Sequence, residues 1–231
     1  MYKPISAILT AALLIIPGKI WAQTPSRTGH SNISPTQVSF YSVPLACPAA
    51  RGLGCGSAAK PVLRTLEKKK TIQEAWHDHA GTTLAIVWKQ ETSTDSRSAE
   101  IRSVADDRGI SLHELRGEQR DKDLKSFTSG KGWYRGDEVD RLSDEEAAII
   151  ADRLIRRAAL KAPTITDKTA ALKTAITNLI REQLTNCTSA ECREDCHKKL
   201  VEVARQNLTD QEFNALMEAE KQGARPVGAE Q

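Results

Sequence analysis

Five cysteines are the residues of this chain whose side chains most directly offer chemistry. Cysteine thiolates bind soft metal ions, and pairs of thiols form disulfides or exchange them with other thiols. The five fall into two groups far apart in the sequence, Cys47 with Cys55 and Cys187 with Cys192 and Cys196. Because the number is odd, two disulfides would leave one thiol for a metal, a dimer link or a buried inert position.

The first group is Cys47 and Cys55, which seven residues separate in a loop that contains Gly52, Gly54 and Gly56. A loop this rich in glycine folds back easily, so a Cys47–Cys55 disulfide is one interpretation. A dithiol that binds a soft metal ion is a second interpretation, and a redox-active pair is a third. The loop by itself leaves all three open.

The second group lies in the segment NCTSAECREDCH, where Thr188 predicts the start of a helix. With Thr188 as N-cap, Cys187 and Cys192 occupy the two positions that touch in a hydrophobic staple, which favours a Cys187–Cys192 disulfide. Cys196 lies one turn beyond Cys192, so a Cys187–Cys196 disulfide is the alternative. The same cysteines and His197 also suggest a thiolate-rich metal site. It has three convenient ligands at most, because Cys196 and His197 point apart on a helix.

Two histidines are candidates for additional ligands. His77 and His79 are two positions apart, so on a strand they share a face, as pairs of metal ligands do. They also lie at the expected turn of a hairpin, where polar surface residues are ordinary. No spacing of serine, histidine and acidic residues matches a catalytic constellation, and we therefore predict that the protein is not an enzyme.

The first 22 residues have the pattern of a secretory signal peptide. Lys3 is followed by an apolar run over 5–16 and by Ala22, a small residue at a plausible cleavage site. The run is too short to span a bilayer as a helix. We therefore predict a signal peptide at 1–22, a flexible polar tether at 23–37, and a mature protein that is periplasmic or secreted, where paired cysteines oxidise.

The charge balance excludes several classes of partner. Lysines and arginines number 33 against 30 acidic residues, a net charge of +3. Removal of residues 1–22, which hold Lys3, Lys19 and no acid, leaves +1. This balance excludes a general nucleic-acid binder and a polybasic membrane anchor. We expect a metal ion as the ligand and a protein partner on the helical half described next.

The order of elements predicts an α+β fold in two parts. Residues 38–116 show strand, helix, two strands joined by a turn at 78–81, helix and strand, which is the ferredoxin-like β-α-β-β-α-β order. Residues 84–88 are apolar without alternation, which predicts a strand covered on both faces. We interpret residues 117–142 as a charged connector, whose Trp133 and Tyr134 dock onto the open face of the sheet.

The rest of the chain predicts an all-helical domain at 143–222 and a disordered tail at 223–231. Three pairs of residues match the capping box that begins a helix: Ser143 with Glu146, Thr188 with Glu191, and Thr209 with Glu212. Apolar residues recur at helical spacing after each of them.

The segment around the first two cysteines resembles a known family. Cys55 stands at the start of the first helix, a strand begins near Ile72, and the following strand ends LAIVWK. Over about 38–116 this order of cysteine, helix and strands resembles the heavy-metal-associated domain, the ferredoxin-like module of periplasmic mercury-binding proteins and copper chaperones. In that family a C-x-x-C pair binds the ion. The resemblance implies that Cys47 and Cys55 bind a soft metal ion such as copper(I) or mercury(II).

Three functions follow as expectations. The first is a periplasmic or secreted protein that binds a soft heavy metal through a cysteine pair, as a scavenger or carrier. The alternative is a non-enzymatic interaction module with structural disulfides in both halves, in which amphipathic helices bind a partner. The second alternative is a thiol–disulfide exchange protein.

Overall fold

The structure is a computed structural model that describes residues 33–90, 92–187 and 189–227. Within these ranges the protein is mixed α/β, with one antiparallel five-stranded sheet and seven α-helices, and helix predominates. The predicted signal peptide at 1–22 and residues 23–32 of the predicted tether lie outside the described residues, as do residues 228–231 of the predicted tail. No described helix is both long and apolar enough to cross a membrane.

The sheet contains five strands, β1 (Val38–Ser42), β2 (Ile72–Asp78), β3 (Thr83–Trp88), β4 (His113–Glu114) and β5 (Trp133–Tyr134). The two longest, β2 and β3, form the predicted hairpin. The Asp78 carboxylate fixes its turn, because Oδ1 accepts hydrogen bonds from the backbone N–H groups of Thr82 and Thr83, each at 2.8 Å. The strand order is β4-β1-β3-β2-β5, and every neighbouring pair is antiparallel.

Three helices accompany the sheet, and four follow it along the chain. The first three are α1 (Gly56–Glu67), α2 (Thr94–Arg108) and α3 (Gly117–Thr128). The four that follow, which we call the helical half, are α4 (Asp140–Ala159), α5 (Thr169–Asn186), α6 (Ala190–Asn207) and α7 (Asp210–Lys221). Helix α2 ends at Gly109, which has the left-handed φ of 61° that glycine adopts at little cost.

Strand β3 is buried along its whole length because both faces of the sheet are covered. On one face, side chains of α1 and α2 pack on residues that include Leu84, Ile86 and Trp88. On the other face, Phe127 and Trp133 pack on Phe40, Trp76, Ala85 and Val87. The continuous apolar run at 84–88 was therefore a correct sign of burial on both sides.

The region 117–142 differs from the predicted connector, because residues Gly117–Thr128 form α3 and Trp133–Tyr134 add a strand to the sheet. The apolar residues in α3 are few, so its periodicity is weak, and Phe127 alone among them is buried. Trp133 docks on the sheet as expected. Tyr134 packs instead against the clusters on the opposite face, because successive side chains of a strand alternate.

The helix starts of the second half confirm one predicted cap and correct two others. The Thr209–Glu212 capping box is present. The one predicted at Ser143 and Glu146 is wrong, because α4 begins at Asp140 and both residues are buried inside it. Helix α6 is capped by Ser189, whose hydroxyl accepts the N–H of Cys192, and Thr188 lies outside the described residues.

Helix α4 is the central element of the helical half, since it packs against α5, α7 and the first turns of α1. Its core also includes four residues of the loop that precedes α1, which are Cys47, Ala49, Ala50 and Leu53. These four are at most 6% exposed. The loop that carries the first cysteine pair is therefore part of the hydrophobic core of the helical half.

The start of the predicted disordered tail is held against α4. The Arg157 guanidinium donates to the carbonyls of Gly223 and Arg225, both at 2.7 Å, and Arg153 donates to the carbonyl of Ala224. Both arginines are nearly buried, at 5% and 6% exposure. Residues 223–225 thus supply hydrogen-bond acceptors that two buried cations require.

Replacing Phe127 with alanine should destabilise the protein by about 3–5 kcal/mol, because a fully buried aromatic ring would be lost from the second sheet face. Phe127 makes edge contacts with Phe40, Trp76 and Trp133 at centroid distances of 5.3–6.0 Å. Urea unfolding followed by tryptophan fluorescence measures the loss. The control Leu160→Ala, at a side chain 85% exposed, should change stability by less than about 0.5 kcal/mol. Equal free energies of unfolding for the two variants would contradict a stabilising role of Phe127 on this face of the sheet.

Candidate functional site

The loop between Cys47 and Cys55 continues the sheet as a short ribbon. Ala46 and Gly54 form an isolated antiparallel bridge. The N–H of Cys47 donates to the carbonyl of Leu53 at 2.7 Å, and the N–H of Cys55 donates to the carbonyl of Leu45 at 2.8 Å. The loop is therefore held by backbone hydrogen bonds rather than mobile.

The two thiols of this loop are free in the structure, so the Cys47–Cys55 disulfide is not formed. The register explains why. Since Ala46 pairs with Gly54, Cys47 faces Leu53 and Cys55 faces Leu45. The two cysteines are thus diagonal neighbours, for which Cα atoms are typically about 7–8 Å apart. A disulfide requires a shorter span, so closure would need backbone movement.

Cys47 is poorly suited to bind a metal ion. It is 6% exposed and packs in the core of the helical half. Burial raises the pKa of its thiol to about 12, and the hydrogen bond to the Glu146 carboxyl and the charge of that group add to the rise. The thiol therefore keeps its proton at neutral pH, whereas soft metals bind the thiolate.

Cys55 has a different environment although it is close in sequence. It is the N-cap residue of α1, it is partly exposed, and its Sγ lies 3.2 Å from the hydroxyl of Ser57. Its position at the helix start agrees with the sequence prediction. The pair Cys47 and Cys55 thus consists of one buried protonated thiol and one accessible thiol, and only the second is open to a ligand from solvent.

The two candidate histidines are separated rather than joined in a site. His77 is fully buried in β2, and neither ring nitrogen has a hydrogen-bond partner among the described residues. A Cβ at Gly54 would lie 2.4 Å from Cε1 of His77, so the ring fills the space beside the glycine. Burial lowers the pKa of His77 to about 4. His79 is half-exposed, and its Nε2 lies 2.9 Å from a carboxylate oxygen of Glu145.

The second cysteine group is assembled by the turn between α5 and α6. Cys187 follows the last turn of α5, and Cys192 and Cys196 are on successive turns of α6. Cys187 and Cys192 form a disulfide, as one of the two sequence alternatives predicted. Cys196 is a free thiol, and its Sγ lies 3.7 Å from that of Cys187.

All three sulfur atoms of this group, which we call the cysteine triad, lie within 4.8 Å of one another. Cys187 and Cys192 are partly exposed, and Cys196 is 5% exposed. Cys192 is in the first turn of α6, where the positive end of the helix dipole favours a thiolate. His197 points away from the sulfurs, and its Nδ1 lies 3.3 Å from a carboxylate oxygen of Glu220. The triad therefore offers three sulfur ligands.

Glu146 is the residue near these sites that sequence reasoning missed. Its fit to a capping box obscured a second signal, which is that Glu146, Ile150 and Leu154 follow one another at i, i+4 and i+8 on one helix face. Because the apolar face of a helix packs against the core, the position of Glu146 on this face indicates that its carboxyl is buried. Burial accordingly raises its pKa, against the hydrogen bond from Cys47, which lowers it.

The chain matches no family model, no curated protein and no solved structure in the comparisons made with it.

The variant His77→Leu should remove an acid sensitivity of the fold. The pKa of His77 is lower in the folded chain, at about 4, than the usual 6.5. Between these pH values the unfolded chain binds a proton that the folded chain does not, so stability is lost as the pH falls through this window. The full span is worth about 3 kcal/mol. Urea unfolding at pH 7, 6, 5 and 4 should show a flatter profile for the variant, with equal or greater stability at pH 7. Equal slopes for both proteins would contradict a buried unpaired imidazole.

Alkylation should separate the two thiols of the first loop. Iodoacetamide at pH 8 should modify Cys55 in the folded protein and leave Cys47 intact, because Cys47 is buried and its thiol pKa is about 12. Peptide mass spectrometry gives the extent at each position. In urea, both residues should react alike. Modification of Cys47 at the rate of Cys55 in the folded protein would mean that the loop opens readily.

Proposed function

We propose that this protein binds a soft metal ion through the cysteine triad. The observation that carries the proposal is the convergence of three sulfur atoms within 4.8 Å. Metal–thiolate bonds of about 2.3 Å place the sulfurs of one ion about 3.8–4.0 Å apart. The Cys187 and Cys196 sulfurs, at 3.7 Å, are close to that spacing already. Soft ions such as copper(I) and mercury(II) prefer ligands of this kind.

Binding at the triad requires the Cys187–Cys192 disulfide to be reduced first. A dithiol reductant supplies two electrons and two protons, and it is itself oxidised to a disulfide. The ion then replaces the protons of the three thiols, which pass to solvent. The oxidised protein would hold a single thiol there, so metal binding would depend on the redox state of the surroundings.

Metal binding through cysteine was expected from the sequence, but the proposed ligands are the cysteine triad instead of Cys47 and Cys55. Cys47 and Cys55 remain a weaker alternative, because the loop would have to open and the Cys47 thiol lose its proton before that residue could bind an ion.

We also propose the ferredoxin-like arrangement for residues 38–116. The element order β-α-β-β-α-β and the strand order β4-β1-β3-β2 support it. The disulfide supports a location outside the reducing cytoplasm.

Thiol–disulfide exchange within the triad is a second candidate function, favoured by the 3.7 Å between the sulfurs of Cys196 and Cys187. Attack by the Cys196 thiolate on the Cys187 sulfur would form a Cys187–Cys196 disulfide. The S–S bond to Cys192 would break, and Cys192 would leave as a thiolate. That thiolate would lie in the first turn of α6, partly exposed, where a substrate disulfide can reach it.

A cadmium titration of the reduced protein tests the metal proposal. Under anaerobic conditions with a phosphine reductant, the wild type should bind one Cd²⁺ per chain, detected by thiolate-to-cadmium charge-transfer absorption. Cys196→Ser should weaken binding about tenfold or more, since one of three ligands is lost. Cys47→Ser is the matched control and should bind as the wild type does. The oxidised wild type should not bind.

Two results would overturn this proposal. One is undiminished binding by Cys196→Ser with loss in Cys47→Ser, which would return the site to the first loop. The other is the absence of binding by any reduced protein. Rapid appearance of the Cys187–Cys196 disulfide in peptide maps, without metal binding, would leave exchange as the function.

A further inference from the structure

A groove of about 560 Å³ opens between α4, α5, α6 and the end of α7. Its walls are apolar, formed chiefly by Ile150, Leu154, Leu179, Ile180 and Leu200. The volume falls within the range of small-molecule sites, which are mostly apolar clefts with a few placed polar groups.

One buried carboxyl oxygen of a residue that lines the groove has no hydrogen-bond partner in the described part of the chain. Glu146 lines the groove on the same face of α4 as Ile150 and Leu154, and it is 5% exposed. One of its carboxyl oxygens interacts with the Cys47 thiol, while Oε2 is buried and accepts no hydrogen bond from any described residue. A buried oxygen without a donor is costly, so a ligand that donates to it would gain binding energy.

The charged residues that line the groove favour a positive ligand. The acidic residues are Glu146, Glu194 and Glu220, whereas Arg193 is the single permanent cation among the described lining residues. Glu220 is paired with His197 at 3.3 Å and Glu194 with Lys198 at 3.5 Å, so Glu146 is the acidic lining residue without an ion pair among the described residues. A protonated amine is a charge-assisted donor to a carboxylate, and its apolar body would cover the leucines and isoleucines of the wall.

We propose that this groove binds a small hydrophobic amine, with its ammonium group donating to Glu146 and its apolar part along the α4 and α5 walls. The groove shares Cys196 with the cysteine triad, but amine binding does not require the metal site, because the groove is complete while the Cys187–Cys192 disulfide is intact. The unpartnered Oε2 and the excess of acidic lining residues point to a cation rather than to a fatty acid.

Calorimetric titration of the oxidised protein with three probes of equal chain length tests the proposal. The probes are n-octylammonium, n-octanol and n-octanoate, each below its micellar concentration. Octylammonium should bind one molecule per chain, octanol more weakly, and octanoate weakest. Glu146→Gln should weaken octylammonium binding about tenfold or more while octanol binding stays the same, because only the charge-assisted hydrogen bond is lost.

The neighbouring acid provides a matched control. Glu145 is exposed, pairs with His79 and does not line the groove, so Glu145→Gln should bind octylammonium as the wild type does. Should Glu146→Gln fold poorly by circular dichroism, Leu179→Trp fills the groove from its partly exposed wall and should abolish binding of all probes. The comparison of octylammonium with octanoate in the wild-type protein tests the proposal without any substitution.

Three outcomes would overturn the proposal: octanoate binding as tightly as octylammonium, an unchanged affinity in Glu146→Gln, or no binding of any probe by the oxidised wild type. The reduced state and added metal are absent from these titrations, so failure here and failure of the metal proposal are distinguishable.

Discussion

Four buried side chains of the loop at 47–53 connect the sheet to the core of the helical half. The loop contributes Cys47, Ala49, Ala50 and Leu53 to the core of the helical half while its backbone remains bonded to the sheet. Such burial requires the hydrogen bonds of the loop to be satisfied internally, which the pairing of Ala46 with Gly54 achieves. The sheet and the helical half therefore share one loop as a common part of their cores.

This contact is possible because two glycines let the backbones approach closely. A Cβ at Gly81 would lie 2.6 Å from the Cα of Gly54 and 2.5 Å from the carbonyl oxygen of Leu45. Gly81 also has a φ of 76°, which side-chain-bearing residues rarely adopt. The turn of the β2–β3 hairpin and the loop before α1 are thus in direct contact. The ring of His77 is enclosed beneath them, and its nitrogens are left without donors or acceptors from the described residues.

Burial of this loop also gives its two cysteines different reactivities. It keeps Cys47 protonated beside Glu146 and leaves Cys55 accessible at the start of α1. Thiolate chemistry is better placed at the turn between α5 and α6, where three sulfurs meet near a helix N-terminus. Glu146, which faces the groove from α4, joins the two regions, because it interacts with the first loop on one side and lines the cavity beside Cys196 on the other.

Features that depend on residues close together in the chain follow from the amino-acid sequence. The hairpin at 72–88, the end of α2 at Gly109 and the Thr209–Glu212 cap are of this kind. The local pattern around Cys187 left two disulfides open, and the structure contains the one with Cys192. Helix α3 was missed because its one buried residue, Phe127, carries no periodic signal. Packing between distant elements buries Ser143 and Glu146 inside α4, places Cys47 in a core, and pairs Cys187 with Cys192 rather than with Cys196. Burial and the pKa of a thiol or carboxyl are set by elements distant in sequence, which local patterns do not encode.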